Sequence, residues 1–255
     1  MAIALLTDFG TRDHFAASMK GVITGIAPEA AVFDITHEIP PGDIHAAAFT
    51  LFACFRDVPA GTVIVGVVDP GVGSERRPVA VAADDRFLIG PDNGIFSFIL
   101  DSQENFQVHL IEREFRPAAE ISTTFHGRDI FAPAAAHIAL GRPIEELGRP
   151  LSDPVRLPCI YPETEGETMI GRVLHIDRFG NVITNVPASH LENGLTAEVN
   201  ARNVNVVLKC YADGGGGELF LIAGSIGLVE ISLNGASAAA EIGVETGDEV
   251  VFRKL

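Results

Sequence analysis

The chain has 255 residues, 47% of them hydrophobic, and 34 acidic against 18 basic side chains give a formal net charge of −16. That length and apolar content suffice for one large core or two modest ones and exclude a disordered chain. The acidic balance repels polyphosphates, so no nucleic-acid partner is expected. No apolar run nears the roughly 18 residues of a membrane span.

The opening "MAIALLTDFG" has no basic lead-in, and its apolar run is broken by Asp8, so it reads as a first strand rather than a leader peptide. A cytoplasmic location follows as the expectation. Helical spacing comes next in "DHFAASMKGVITGIAP", then a strand in "AVFDITH", an alanine-rich helix in "GDIHAAAFTLFACFRDVP" and a third strand in "TVIVGVVD". This alternation predicts an α/β domain over residues 1–150, with a mainly parallel sheet covered on both faces. Pro150, Pro154, Pro158 and Pro162 then recur without periodicity, which predicts a linker over 151–166. Short β-type runs with turn signals fill 167–255 and predict a smaller, all-β, barrel-like domain, with Gly214 to Gly217 as a hairpin turn. Cys54, Cys159 and Cys210 are too widely spaced for a zinc or disulfide pattern and are expected as reduced thiols.

Asp8 and Asp69 both fall where a strand pattern ends, the place where open α/β sheets bind ligands. "VVDPGVGSERR" lacks the ending of a phosphate loop, and Pro70 removes a backbone donor. It does offer a carboxylate with Arg76 and Arg77 a few residues away. In "TTFHGRDIFAPAAAHIALG", His126 stands at the glycine-bearing entrance of a helix expected from Arg128 to Leu140, free to exchange a proton near neutrality. His137, inside that helix, reads as packed. Asp8, Asp69, His126 and Asp129 are metal-type ligands, but at no spacing that specifies a metal, so none is expected. In the second half, "HIDRFGNVITN" interrupts a strand pattern with Asp177, Phe179, Gly180 and Asn181. That stretch fits a hairpin turn and equally the recognition of a purine nucleoside or an amino-acid group. "AGSIGLVEISLNGASAA" adds Ser225, Glu230 and Asn234 in loop or strand-end positions.

Taken in order, "LLTDFG", "DITHEIPPGDI", "VVDPGVGSERR", "GPDNGIFS", "TFHGRD", "HIDRFGN" and "GSIGLVEISLNG" resemble the S-adenosyl-L-methionine hydrolases, also called SAM hydroxide adenosyltransferases, relatives of the fluorinating and chlorinating enzymes. The resemblance covers nearly the whole chain. It implies hydrolysis of S-adenosyl-L-methionine to adenosine and L-methionine by attack of water or hydroxide at the ribose C5′, without cofactor, in a homotrimer with sites at subunit interfaces. It implies Asp69, Arg76 and His126 as the set that handles water, with His126 favoured as proton relay and Arg77 the neighbouring alternative to Arg76. Asp8 would accept bonds from the ribose hydroxyls and Asp177 would pair with the methionine ammonium. Ser225 would hold the carboxylate, Phe179 and Asn181 would contact the adenosine, and Glu230 would lie near the base. Ile226 stands where the halogenating relatives carry an arginine, and the chain has no tryptophan. A non-catalytic adenosine- or SAM-binding protein, a metal-dependent hydrolase and a SAM-dependent halogenase are the alternatives.

Overall fold

The computed structural model describes residues 1–112, 121–158 and 161–254. The chain divides into two compact units, Met1–Cys159 and Ile160–Leu255.

The first unit is built on six strands: β1 (Ala2–Thr7), β2 (Ala31–Thr36), β3 (Val63–Val67), β4 (Pro78–Ala83), β5 (Arg86–Pro91) and β6 (Phe106–Leu110), in the sheet order β2-β1-β3-β5-β4-β6. Pairing is parallel from β2 through β5, and β4 is antiparallel to both of its neighbours, so β4 alone runs against the rest. The reversal follows from the two-residue turn Asp84–Asp85, too short for a parallel crossover. Strand alternation feeds two cores. Ile3, Leu5, Val63 and Val65 face Met19 and Ile23 of α1 (Phe15–Ile26) and Ala135 and Ile138 of α4 (Ala132–Ala139). Ala4, Leu6 and Ile64 face Ala47, Leu51 and Phe55 of α2 (Ile44–Phe55) and Ile99 of α3 (Ser97–Asp101). The carboxylate of Asp43 caps α2 by accepting the Ala46 N–H at 2.8 Å.

Because α1 and α2 lie on opposite faces, the chain winds outward in both directions from β1 and β3. Their carboxyl ends therefore flank the switch point of the sheet, where a crevice opens. Asp8 directly follows the end of β1, and Asp69 is the second residue beyond the end of β3.

Residues 151–158 are fastened to the first unit. The Val155 N–H donates to Asp92, the Leu157 N–H donates to Ser97 Oγ, and Arg77 reaches Asp153.

The second unit contains β7 (Glu163–Glu165), β8 (Thr168–Ile176), β9 (Val182–Pro187), β10 (Leu195–Val199), β11 (Arg202–Val204), β12 (Leu219–Ala223), β13 (Leu228–Leu233), β14 (Glu249–Lys254) and the short helix α5 (Ala238–Ile242). Its antiparallel sheet runs β11-β10-β14-β8-β9-β13-β12, with β7 on β8. The chain beyond β11 comes back against β12, Leu221 N–H bonding Val206 and Leu208 N–H bonding Leu221, which nearly closes a barrel around Val173, Val182, Ile231 and Phe252. The 207–221 contact is parallel, so Gly214 to Gly217 is a turn into β12 rather than a hairpin, and Asn234 anchors it through the Gly214 carbonyl. Cys54 is half-buried, Cys210 is exposed, and both are free thiols; Cys159 lies outside the described residues. Among the described residues no helix is long and apolar enough to cross a membrane.

Candidate active site

The loop after β3 curls back on itself, with the Val72 N–H on the Asp69 carbonyl and the Ser74 N–H on that of Gly71, and it returns Arg76 to the strand end that carries Asp69. Arg76 Nε donates to Asp69 Oδ1 at 3.0 Å, and Nη2 donates to Oδ2. The two side chains are only 10% and 5% exposed, which makes this a buried ion pair. The guanidinium also lies 5.2 Å from the ring centroid of the fully buried Phe131. Arg77, with the same charge one residue on, goes elsewhere: its Nε donates to Asp92 at 2.7 Å. The structure thereby separates two arginines that spacing leaves equivalent.

His126 caps a π-helical turn, Gly127–Phe131, that leads into α4, so the helix starts with a wider turn than the expected α-helical one. Its Nδ1 lies 2.6 Å from Arg76 Nη2. A guanidinium only donates, so Nδ1 must accept and the ring proton sits on Nε2. Burial, followed by the positive charge of Arg76, pushes the His126 pKa below its ordinary value, against the opposing pull of Asp69 and Asp129. The proton-relay role expected for His126 needs a free ring lone pair, and here Arg76 occupies it.

Asp8 turns toward the 40–42 loop, where its Oδ2 accepts the Gly42 N–H at 2.8 Å. Asp8, Asp69 and His126 line one cavity of about 330 Å³ together with Phe9, Gly42 and Phe125. That volume is at the lower end for small-molecule sites, which span about 300–1,000 Å³. One donor in this region has no protein partner: Arg76 Nη1 is buried and unpaired among the described residues.

In the second unit, Asp177 closes the β8–β9 turn. Its Oδ1 accepts the N–H groups of Phe179 and Asn181, and its Oδ2 accepts Asn181 Nδ2 at 2.9 Å. Gly180 takes φ +83° there, and a Cβ would come within 2.1 Å of Ser237 Oγ, so only glycine fits. Phe179, at the tip, is 77% exposed, whereas Asn181 is buried. Ser225 is exposed on the β12–β13 turn. Glu230 is buried and accepts the Tyr211 hydroxyl at 2.7 Å. Burial raises its pKa and the Asp177 charge adds to the rise, while the Tyr211 hydrogen bond opposes it. The structure thus gathers Asp8, Asp69, Arg76 and His126 in the first unit, and sets Asp177, Asn181 and Glu230 near one another in the second.

Residues 3–148 match the N-terminal domain of the SAM hydroxide adenosyltransferases, and residues 171–251 match the C-terminal domain. The chain belongs to the SAM hydroxide adenosyltransferase family. It is 40% identical to the (R)-S-adenosyl-L-methionine hydrolase of Salinispora tropica, over 97% of this chain and 96% of that protein. A fluorinase from Actinoplanes is more distant, at 29% identity over 74% of this chain and 73% of its own. The crystal structure of an uncharacterized conserved protein from Thermotoga maritima has a TM-score of 0.92 at 34% identity, covering 99% of this chain and 100% of that one.

In this adenosyltransferase-family chain, sequence reasoning missed the Gly42 amide that holds Asp8 and the aromatic wall of Phe9 and Phe125. Neither carries a polar side chain, so no chemical signal marks them. Among the described residues no three His, Cys, Asp or Glu side chains are grouped to hold a metal ion. Asp69 and the Nδ1 of His126 instead face the cation Arg76.

The lowered His126 pKa sets a pH expectation for this family member. Protonation of Nδ1 removes the acceptor that Arg76 uses and places two cations side by side. The acid limb of kcat/KM is therefore expected to have its midpoint below the ordinary histidine value of about 6.5. Between those two values the folded chain binds fewer protons than the unfolded one, so His126 makes stability rise with pH across that window and fall as it is crossed downward. A pH–rate profile with an acid midpoint above about 6.5 contradicts the assignment.

Proposed function

We propose that the protein hydrolyses S-adenosyl-L-methionine to adenosine and L-methionine, water attacking the ribose C5′ as the sulfonium leaves. The observation that carries this reading is Arg76 Nη1, a buried charged donor left unpaired among the described residues, beside the Asp69 carboxylate and the His126 ring. A buried charged donor without an acceptor is costly, and an oxygen of water or hydroxide supplies one. The name of the Salinispora relative fits the same chemistry.

Sulfonium is a good leaving group, so the task is to hold one oxygen behind C5′ in line with the breaking bond. In this reading Arg76 binds the oxygen and lowers the pKa of the water, easing the loss of its proton. Asp69 keeps acceptor positions beyond those used by Arg76 and takes the proton as the C–O bond forms. His126 fixes the guanidinium from the other side. Asp8 receives the ribose hydroxyls, and Asp177 and Ser225 receive the methionine ammonium and carboxylate. Phe179, Asn181 and Glu230 serve the adenosyl end. No cofactor or metal enters this scheme. The proposal extends to a cytoplasmic homotrimer with sites at subunit interfaces, for which the mass in solution is the test.

Turnover in oxygen-18 water is the deciding experiment. Label is expected in the adenosine 5′-hydroxyl. Unlabelled adenosine removes solvent attack at carbon, a halide-dependent 5′-halo product indicates halogenation instead, and binding without turnover indicates a carrier. Asp8→Asn is expected to weaken adenosine binding about tenfold, as loss of a charge-assisted hydrogen bond does; an unchanged affinity measured by calorimetry removes Asp8 from the ribose.

A further inference from the structure

Beneath Asp8 lies a hydrogen-bonded chain that the proposed chemistry does not use. Thr7, fully buried at the end of β1, accepts the Phe9 N–H on Oγ1 at 3.2 Å. That leaves its hydroxyl proton for His37 Nδ1, 2.8 Å away. His37 is 5% exposed, and its Nε2 lies 3.1 Å from Asp34 Oδ1, a charge contact rather than an aligned hydrogen bond. The other oxygen of Asp34 accepts Lys20 Nζ at 2.7 Å. Burial pushes the Asp34 carboxyl up, but the Lys20 hydrogen bond and the close contact with His37 outweigh it and hold it below its ordinary value. An ionised Asp34 facing Nε2 favours the tautomer with the proton on that nitrogen, and in that tautomer Nδ1 accepts from Thr7.

The same histidine ties down the chain on both sides of Asp8. Its carbonyl accepts the Gly10 N–H at 2.7 Å, and the next residue, Glu38, accepts the Thr11 hydroxyl. The loop it begins ends at Gly42, whose N–H binds Asp8 itself. Residues 7–11 and 37–42 are thus stitched at four points around one carboxylate.

We propose that His37 is a positioning residue for Asp8: by bonding Thr7 it fixes the chain that leaves β1 and so sets the Asp8 carboxylate at the cavity wall. The inference rests on the reading of Asp8 as the group that receives the ribose. Its chemistry is that of an orienting acceptor, and His37 itself touches no substrate.

The test separates the two nitrogens of the ring. Asparagine places a polar atom where Nδ1 stands and can serve Thr7, whereas glutamine reaches the Nε2 position and can serve only Asp34. His37→Ala is expected to raise KM and weaken adenosine binding about tenfold, with kcat changed by less than about threefold. His37→Asn is expected to restore both values to within about threefold, and His37→Gln to leave them impaired. Thr7→Val keeps the buried volume and removes the hydroxyl, so it reproduces the His37→Ala defect even if the alanine variant does not fold. Equal KM values in His37→Gln and His37→Asn, or unchanged adenosine affinity in Thr7→Val, overturn the proposal. Asp8→Asn, measured alongside, keeps the failures distinct: if that variant binds adenosine normally, it is the ribose reading that falls.

Discussion

Asp69→Asn is expected to lower the rate of adenosine formation by about 10²–10⁴-fold, the usual loss when a positioned base is removed. The asparagine keeps an acceptor for Arg76 Nε but loses the negative charge that neutralises a guanidinium only 10% exposed. Arg76 then loses its buried counter-ion while still facing a histidine 2.6 Å away. Removing one partner of a buried ion pair typically costs about 3–5 kcal/mol, and the retained hydrogen bond makes the loss smaller here. Asp8 is untouched and lies on the neighbouring strand end, so adenosine affinity is expected to stay within about threefold. Single-turnover kinetics and adenosine calorimetry on the same preparation check both halves. A rate within tenfold of the unaltered protein shows that the proton goes elsewhere.

Gly73→Ala is expected to cost at least about 10²-fold in rate although the residue carries no functional group. Gly73 has φ +78°, and a Cβ there would come within 2.2 Å of the Thr123 carbonyl oxygen. One of the two touching loops carries Asp69 and Arg76, and the other leads into His126. The alanine must push them apart by about an ångström, and a displacement of that size at a reacting centre costs about two orders of magnitude. The left-handed backbone adds a penalty of about 1–2 kcal/mol. Gly61→Ala is the control: its φ is +77°, but nothing lies within 4 Å of the added carbon. Both variants should lose the stability that the left-handed backbone costs, Gly73→Ala should lose more through its clash with Thr123, and only Gly73→Ala should lose turnover. Equal activity in the two shows that contact between the loops does not hold the site.

Much of the site was legible because strand ends are marked locally. A continuous apolar run, the mark of a strand buried on both faces, stops at an acid, and the α/β alternation places that acid at the switch-point crevice, which groups Asp8 with Asp69. His126 was legible through the glycine that follows it at a helix entrance. The reversed strand β4 was hidden, since its composition is that of any buried strand and only a two-residue turn distinguishes it. Asp177 was found as a chemical group, but its three hydrogen bonds within the β8–β9 turn depend on how the backbone curls at Gly180. His37 lies inside the motif "DITHEIPPGDI" but nothing in the sequence singles it out, because a histidine inside a strand–loop pattern looks the same whether it is packed, exposed or bonded.

The order of residues along the chain determined the two kinds of layer, the strand ends with their acids and the family to which the seven motifs point. All of these are short-range signals: hydrophobic period, turn chemistry and the local company of each polar residue. Only the tertiary structure decided that Arg76 and not Arg77 meets Asp69, that His126 accepts through Nδ1, and that one guanidinium nitrogen is buried without a partner among the described residues. Adjacent arginines share composition and surroundings in the sequence, and they part only when folding brings Asp69 and His126 to one and Asp92 and Asp153 to the other. The roles of these side chains are set by partners up to 76 residues away, which no local pattern encodes.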